Sequence, residues 1–241
     1  MAPILEFPNP RLADSDGVVG IGGDLHPDSL LLAYRQGIFP WPMPGYPLVW
    51  FCPEKRAILR FDHLHIGRTL AKVIKKQNYR FSVNRAFKEV ISHCRETRKG
   101  DTWITKEMQK AYIDFHKVGY AHSFEVWNKN GQLVGGLYGV GVDGFFAGES
   151  MFHLEDNTSK LAIVYAVQKL QKAHVHWMDI QMITPHLKAM GAQSIKREPF
   201  LDLLEKTRSH SKNPKLHLSS HHPSEPAEIL LLQKPAAHLS K

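Results

Sequence analysis

Apolar positions along the chain change their period twice. From Ile66 to Lys76, the residues Ile66, Leu70, Val73 and Ile74 recur at helical spacing. Arg68, Lys72, Lys75 and Lys76 repeat that spacing two positions later, on the opposite face. The pattern predicts helices over 66–77, 84–96 and 105–118. Asn84 is placed to cap the second, which puts Phe87, Val90, Ile91 and Cys94 on one face. The third starts at Thr105, buries Met108, Ala111, Tyr112 and Phe115, and stops at Gly119. Beyond Gly119 the period falls to two. Residues 121–127 alternate as a strand, and two glycine-rich runs flank Asp143-Gly144, a hairpin signal. Ser159–Gln171 is apolar almost all round and predicts a helix buried against a sheet. A strand over 174–182, a short helix over 184–192 and a final strand over 194–200 complete the pattern.

Residues 1–58 read differently, as turns around one short helix capped by Asp28 and ended by Gly37. The division expected is a small N-terminal domain over 1–58, a catalytic domain over 59–209 and a loosely ordered tail over 210–241. The class is α+β with a central mixed sheet. The five histidines of the tail are irregularly spaced and read as solvated, and no Cys/His spacing suggests a metal.

Composition narrows the possibilities. The 241 residues include 24 aromatics and are 43% hydrophobic, enough to build a core, so disorder as the main state is excluded. No apolar run reaches membrane-spanning length, and the basic start and apolar run of a signal peptide are missing. Cys52 and Cys94 are read as reduced and intracellular. The net charge of +8 is uneven: residues 61–110 alone carry +7. A local excess of this kind suits a polyanion, with a bare solvated surface as the alternative. The face of Arg68, Lys72, Lys75 and Lys76 would track phosphates.

Candidate chemistry lies elsewhere. Glu149 stands among apolar residues at a strand end, where a carboxylate can hold an amino group or simply face water. Asp179 and Gln181 share one strand face among large apolar neighbours, as a structural pair or a site. Trp41, Trp50 and Trp103, with Tyr34, Tyr46 and Tyr112, offer flat surfaces for stacking or for a core. Alternation separates His122 from Ser123 and Glu125, which disfavours a nucleophilic triad. The glycines of LVGGLYGVGVDG match no phosphate loop and suit close packing in the hairpin.

Several motifs then coincide in order: GIGGDLHPDSLLLAYRQGIFPW, GDTWIT, AYIDFHKVGYAHSFEVW, LVGGLYGVGVDGFFAGESMF, DIQM and MGA. Over about residues 15–200 the chain resembles the leucyl/phenylalanyl-tRNA–protein transferases. The resemblance implies transfer of Leu or Phe, and less well Met, from aminoacyl-tRNA to the N-terminal Arg or Lys of acceptor proteins. That would mark them for N-end-rule degradation in the cytoplasm. It also implies a monomer, no cofactor, no membrane, and a C-terminal domain like the GCN5-related acetyltransferases.

By motif, Tyr34, Trp41, Trp103 and Tyr112 would bind the terminal adenosine and aminoacyl group, and Glu149 would anchor it. Leu137, Phe146 and Met151 would wall the side-chain pocket. Asp179 and Gln181 would be the catalytic pair, Asp179 holding the Gln181 amide through its NH₂. Arg68, Lys72, Lys75 and Lys76 would bind tRNA. VWFCP and AMGA depart from the family's usual WWSP-like and SLGA runs. A CoA-dependent acetyltransferase and a non-enzymatic RNA-binding module are the competing readings. The first lacks the pyrophosphate-binding loop.

Overall fold

The computed structural model describes residues 3–43, 45–97, 102–211 and 214–218. β1 (Val18–Ile21), α1 (Pro27–Arg35), β2 (Phe39–Trp41) and β3 (Val49–Phe51) come first. β3 pairs antiparallel with both other strands, so the N-terminal segment holds a small sheet as well as the expected helix. Then follow β4 (Lys55–Arg60), α2 (Arg68–Lys75), β5 (Arg80–Val83), α3 (Phe87–Glu96), α4 (Lys106–Lys117) and β6 (Ala121–Trp127). The chain continues through β7 (Leu133–Val142), β8 (Phe145–His153), α5 (Thr158–Lys172), β9 (Trp177–Gln181), α6 (Pro185–Ala189), β10 (Gln193–Lys196) and α7 (Arg197–His210).

Seven strands form the main sheet in the order β10-β4-β9-β8-β7-β6-β5. Every pairing is antiparallel except β8 with β9. Parallel neighbours need a crossover, and α5 supplies it. The class is α+β, with a mixed sheet. Alternation splits the sheet side chains between two cores. Leu59, Phe124, Leu137, Phe146 and Met178 pack with α5 and with Leu70 and Ile74 of α2. Ile58, Tyr138, Val140, Phe145 and Trp177 face the other way, toward α1, α3, α4 and α7. Ten residues of α5 are buried, as its all-round apolar pattern requires. No helix among the described residues is long and apolar enough to cross a membrane.

Local chemistry corrects three expectations. Asp28 does not cap α1: His26 is the N-cap, and Asp28 sits in the first turn, where its charge suits the helix dipole. Asn84 does not cap α3. It adopts φ +58° and bonds to His122 and to the Ser123 amide, while buried Glu125 of β6 accepts from the Arg85 and Ala86 amides. The run 194–200 is not one strand. Pairing with β4 ends at Lys196, and Phe200, Leu201 and Leu204 then form the buried face of α7. Its Pro199 falls in the first turn, where the missing N–H costs nothing. β4 begins at Lys55 and belongs to the main sheet. Of the expected tail, residues 212, 213 and 219–241 lie outside the described residues. Leu216 is buried, and Lys215 bridges to Val142.

The β7–β8 hairpin turns on Asp143 and Gly144, both with positive φ, as a tight primed turn requires. Its glycines serve packing. A Cβ on Gly139 would stand 2.2 Å from the Ala147 carbonyl oxygen, beside a break in register between Tyr138 and Gly139. Gly139→Ala therefore loses about 1–3 kcal/mol or more of unfolding free energy. Gly20, with nothing within 4 Å of its Cβ position, serves as the control, and Gly20→Ala shifts the urea midpoint far less.

Candidate active site

β8 and β9 pair at just two positions, Phe146 with Met178 and Ala147 with Asp179. Past them the two strands contribute Gly148, Glu149, Ser150 and Met151 on one side and Ile180 and Gln181 on the other to a cavity of about 200 Å³. Phe39, Pro40 and Trp41 of β2 reach it from the small sheet, and Met182, Thr184 and Leu187 from the α6 region. Trp41 stacks on Trp103, with ring centroids 5.2 Å apart and planes 20° from parallel, and both rings line the cavity. The walls are otherwise apolar, with Leu137, Met151, Ile163, Met178 and Ile180.

One connected polar network stands behind this apolar wall. Arg56 of β4, 1% exposed, forks onto Asp179 with Nε–Oδ1 2.8 Å and Nη2–Oδ2 2.6 Å. Its guanidinium lies between the Phe39 and Phe200 rings, 4.6 and 4.5 Å from their centroids. Asp179 Oδ1 also accepts the Gln181 backbone N–H at 2.9 Å. Gln181 has φ +51°, a costly conformation for this residue type, and that bond holds it there. The Gln181 Nε2 donates to Glu149 Oε1 at 3.1 Å. Tyr112 donates its hydroxyl to Glu149 Oε2 at 3.2 Å and shares a 2.5 Å hydrogen bond with the Tyr34 hydroxyl. Burial pushes the Glu149 carboxyl up to about 7; the Asp179 charge adds to the rise, and the tyrosines and Arg56 oppose it. Burial and the nearby Glu149 hold both tyrosine hydroxyls well above their ordinary value, so they act as donors.

Residues 58–205 match the family described as leucyl/phenylalanyl-tRNA protein transferase, and residues 23–54 match its N-terminal domain. The chain belongs to this family. The leucyl/phenylalanyl-tRNA–protein transferase of Maridesulfovibrio salexigens is 46% identical over 207 residues, 85% of this chain and 86% of that protein. The corresponding protein of Shewanella loihica is 46% identical over 209 residues, 85% and 88% of the two chains. The solved structure of L-PGS from Bacillus licheniformis aligns at 14% identity and a TM-score of 0.39, over 67% of this chain and 55% of that one. That likeness is too distant to bear on fold or function.

Of the residues that the transferase motifs single out, Trp41, Trp103, Leu137, Glu149, Met151 and Gln181 all line the cavity. Tyr34 and Tyr112 do not. They are fully buried in the core beneath it and hold Glu149 from behind, so neither ring is free to stack. Phe146 is fully buried too, edge-on to Phe124 in the α5 core, and does not line this cavity. Position along the strand explains it, since Phe146 sits where β8 is still paired with β9, before the cavity opens. Asp179 does not hold the Gln181 side-chain amide; Arg56 takes both of its oxygens, and Glu149 holds the amide instead. Arg68, Lys72, Lys75 and Lys76 lie exposed on α2, apart from the cavity, with Leu70 and Ile74 buried beneath. Arg56, Phe39 and Phe200 went unread in the sequence. Arg56 alone left a signal, a cation directly preceding the apolar run Ala57-Ile58-Leu59.

The raised Glu149 value makes stability depend on pH with a definite sign. The unfolded carboxyl ionises near 4.3, while the folded one keeps its proton until about 7. The folded state therefore loses stability as pH rises through that window and levels off above it. Relative to Glu149→Gln, the wild type should lose on the order of 3 kcal/mol between pH 4 and pH 7.5. Urea unfolding of both proteins across that range reads this difference. A constant difference would mean that the fold does not raise the proton affinity of Glu149.

Proposed function

We propose that the protein transfers Leu or Phe, and less well Met, from aminoacyl-tRNA to the α-amine of an N-terminal Arg or Lys on acceptor proteins. Family membership supports the reaction class. One observation carries the site: an apolar cavity of about 200 Å³ has a stacked Trp pair on one wall and the Glu149–Gln181 hydrogen bond on another. The Trp41–Trp103 face offers the terminal adenosine a stacking surface. Leu137, Met151, Met178 and Ile180 suit an unbranched-at-Cβ apolar side chain, and charged side chains are rejected by desolvation. We also infer a domain like the GCN5-related acetyltransferases. The separation of the one parallel strand pair, which opens the cavity, supports that reading.

The aminoacyl ester arrives activated, so the enzyme must place the incoming amine and steer its proton. The amine nitrogen attacks the ester carbonyl carbon, an amide bond forms, the bond to the ribose oxygen breaks, and that oxygen leaves with the proton. Gln181 Oε1 accepts no hydrogen bond among the described residues, so it can take one from the amine and orient its lone pair. Glu149 fixes which way this amide faces. Asp179, 1% exposed and neutralised by Arg56, acts on the backbone of Gln181 and is a positioning residue. Transfer of label from leucyl-tRNA to a peptide beginning with Arg tests the reading directly; no label on the peptide rejects it.

The mechanism predicts that Gln181→Ala lowers the single-turnover rate about 100-fold, with tRNA binding near normal. Combined with Asp179→Ala, the loss should be less than the product of the two single losses, because Asp179 works through Gln181. Fully multiplicative losses would separate the two residues. On α2, we assign the exposed face of Arg68, Lys72, Lys75 and Lys76 to tRNA phosphates, each cation releasing about one counterion. Replacing all four with Ala should flatten the salt dependence of tRNA binding by roughly four log units per log unit of salt. An unchanged slope would remove α2 from the interface.

A further inference from the structure

A second basic surface stands at the opposite end of β9 from Gln181. There a cleft of about 630 Å³ is lined by His174 and His176 before β9, Lys206 and His210 on α7, and Lys215 and His217 beyond it. All six are exposed, and no Asp or Glu lines the cleft. Buried Trp177 and Leu216 also line it. The Val142–Lys215 bridge and the Asp143 N–H bond to the Pro214 carbonyl seat residues 214–218 against the end of β7. α5 and α7 both end here, and the partial negative charge of their last carbonyls is offset by Lys172 and Arg208 in their final turns. The nearby carboxylate of Asp143 is already taken by Arg35 and Arg208. Lys206 and Lys215 are in no ion pair among the described residues, Lys215 Nζ lying 5.0 Å over the Tyr120 ring, and four imidazoles beside them add N–H donors.

Such a lining suits an anion. Cations spread along the rim of an open cleft suit a chain of spaced phosphates better than one small ion in an enclosed cage. The surroundings name which chain. Phe61 donates its N–H to the His176 carbonyl, and the backbone then reaches Arg68, the first residue of α2, within seven residues. In the other direction β9 runs straight to Gln181, about 13 Å away at ~3.3 Å per residue. Resting on the transferase reading above, we propose that this cleft holds the phosphate backbone of the tRNA body while the aminoacyl end occupies the cavity. Much of the cleft, from Lys206 onward, comes from sequence beyond residue 205, where the family match ends.

The test is binding of deacylated tRNA to Lys206→Gln/Lys215→Gln across a salt series, with α2 intact. The double variant should bind roughly ten-fold more weakly at 0.1 M salt, with a salt slope shallower by about two. Lys206→Glu alone, a single exposed helix position, should weaken binding as well and serves if the double variant misfolds. Affinity and slope equal to wild type in a folded variant would overturn the proposal. So would inorganic phosphate that occupies the cleft without weakening tRNA binding, which would mark a small-anion site. Because deacylated tRNA is the probe, a wild type that binds through the cleft but transfers no label would support this proposal and count against the transferase reading alone.

Discussion

The buried Arg56–Asp179 pair is the constraint on which the site depends. Each ion is about 1% exposed, and removing either from water costs several kcal/mol. That cost is offset by a two-pronged hydrogen bond, by two aromatic faces on the guanidinium, and by the Gln181 amide on the carboxylate. These partners come from β4, β9, β2 and α7. The pair therefore fixes the small sheet and the last helix against the main sheet in one arrangement. A hydrophobic replacement could fill the volume. It could not hold Gln181 in the positive-φ conformation that ends β9.

From that fixed point the cavity follows. The parallel pairing of β8 with β9 stops after Ala147 and Asp179, two residues before the strained end of β9 at Gln181. The gap admits a substrate-sized volume while the paired part remains closed core. Polar groups then stand at the rim of an apolar space. Glu149 occupies that rim with one oxygen on Gln181 and the other on Tyr112. Its proton affinity, raised by burial, is a consequence of the same geometry that aims Gln181 at the cavity.

The two basic surfaces obey a different rule. Phosphate contacts need full charges and freedom from competing carboxylates, and they tolerate exposure. α2 meets those conditions by simple amphipathicity, with Leu70 and Ile74 inside and its cations outside. The cleft beyond α7 meets them by convergence of segments distant in sequence. The charged faces thus sit on the surface, and the apolar cavity sits between strands.

Periodicity alone placed α2, α4, β6, the β7–β8 hairpin and α5, because each carries its burial pattern in consecutive residues. The motifs drew attention to Trp41, Trp103, Leu137, Glu149, Met151 and Gln181, which the fold brings to one cavity. What the sequence could not decide was which of the neighbouring aromatics and acids faced that cavity. Tyr34 and Tyr112 pack in the same core as Trp41 but lie beneath the cavity, and Phe146 packs in the same core as Met151 but lies short of the opening. Where the cavity opens is set by where β8 and β9 stop pairing, a relation between strands more than thirty residues apart. Arg56 was hidden for the same reason. A cation beside an apolar run is a surface residue by local pattern, and it becomes a buried partner once β4 lies beside β9 and places it against Asp179. Local pattern determined the elements; the pairing of distant strands determined which side chains became the site, since burial and charge pairing exist only after those strands meet.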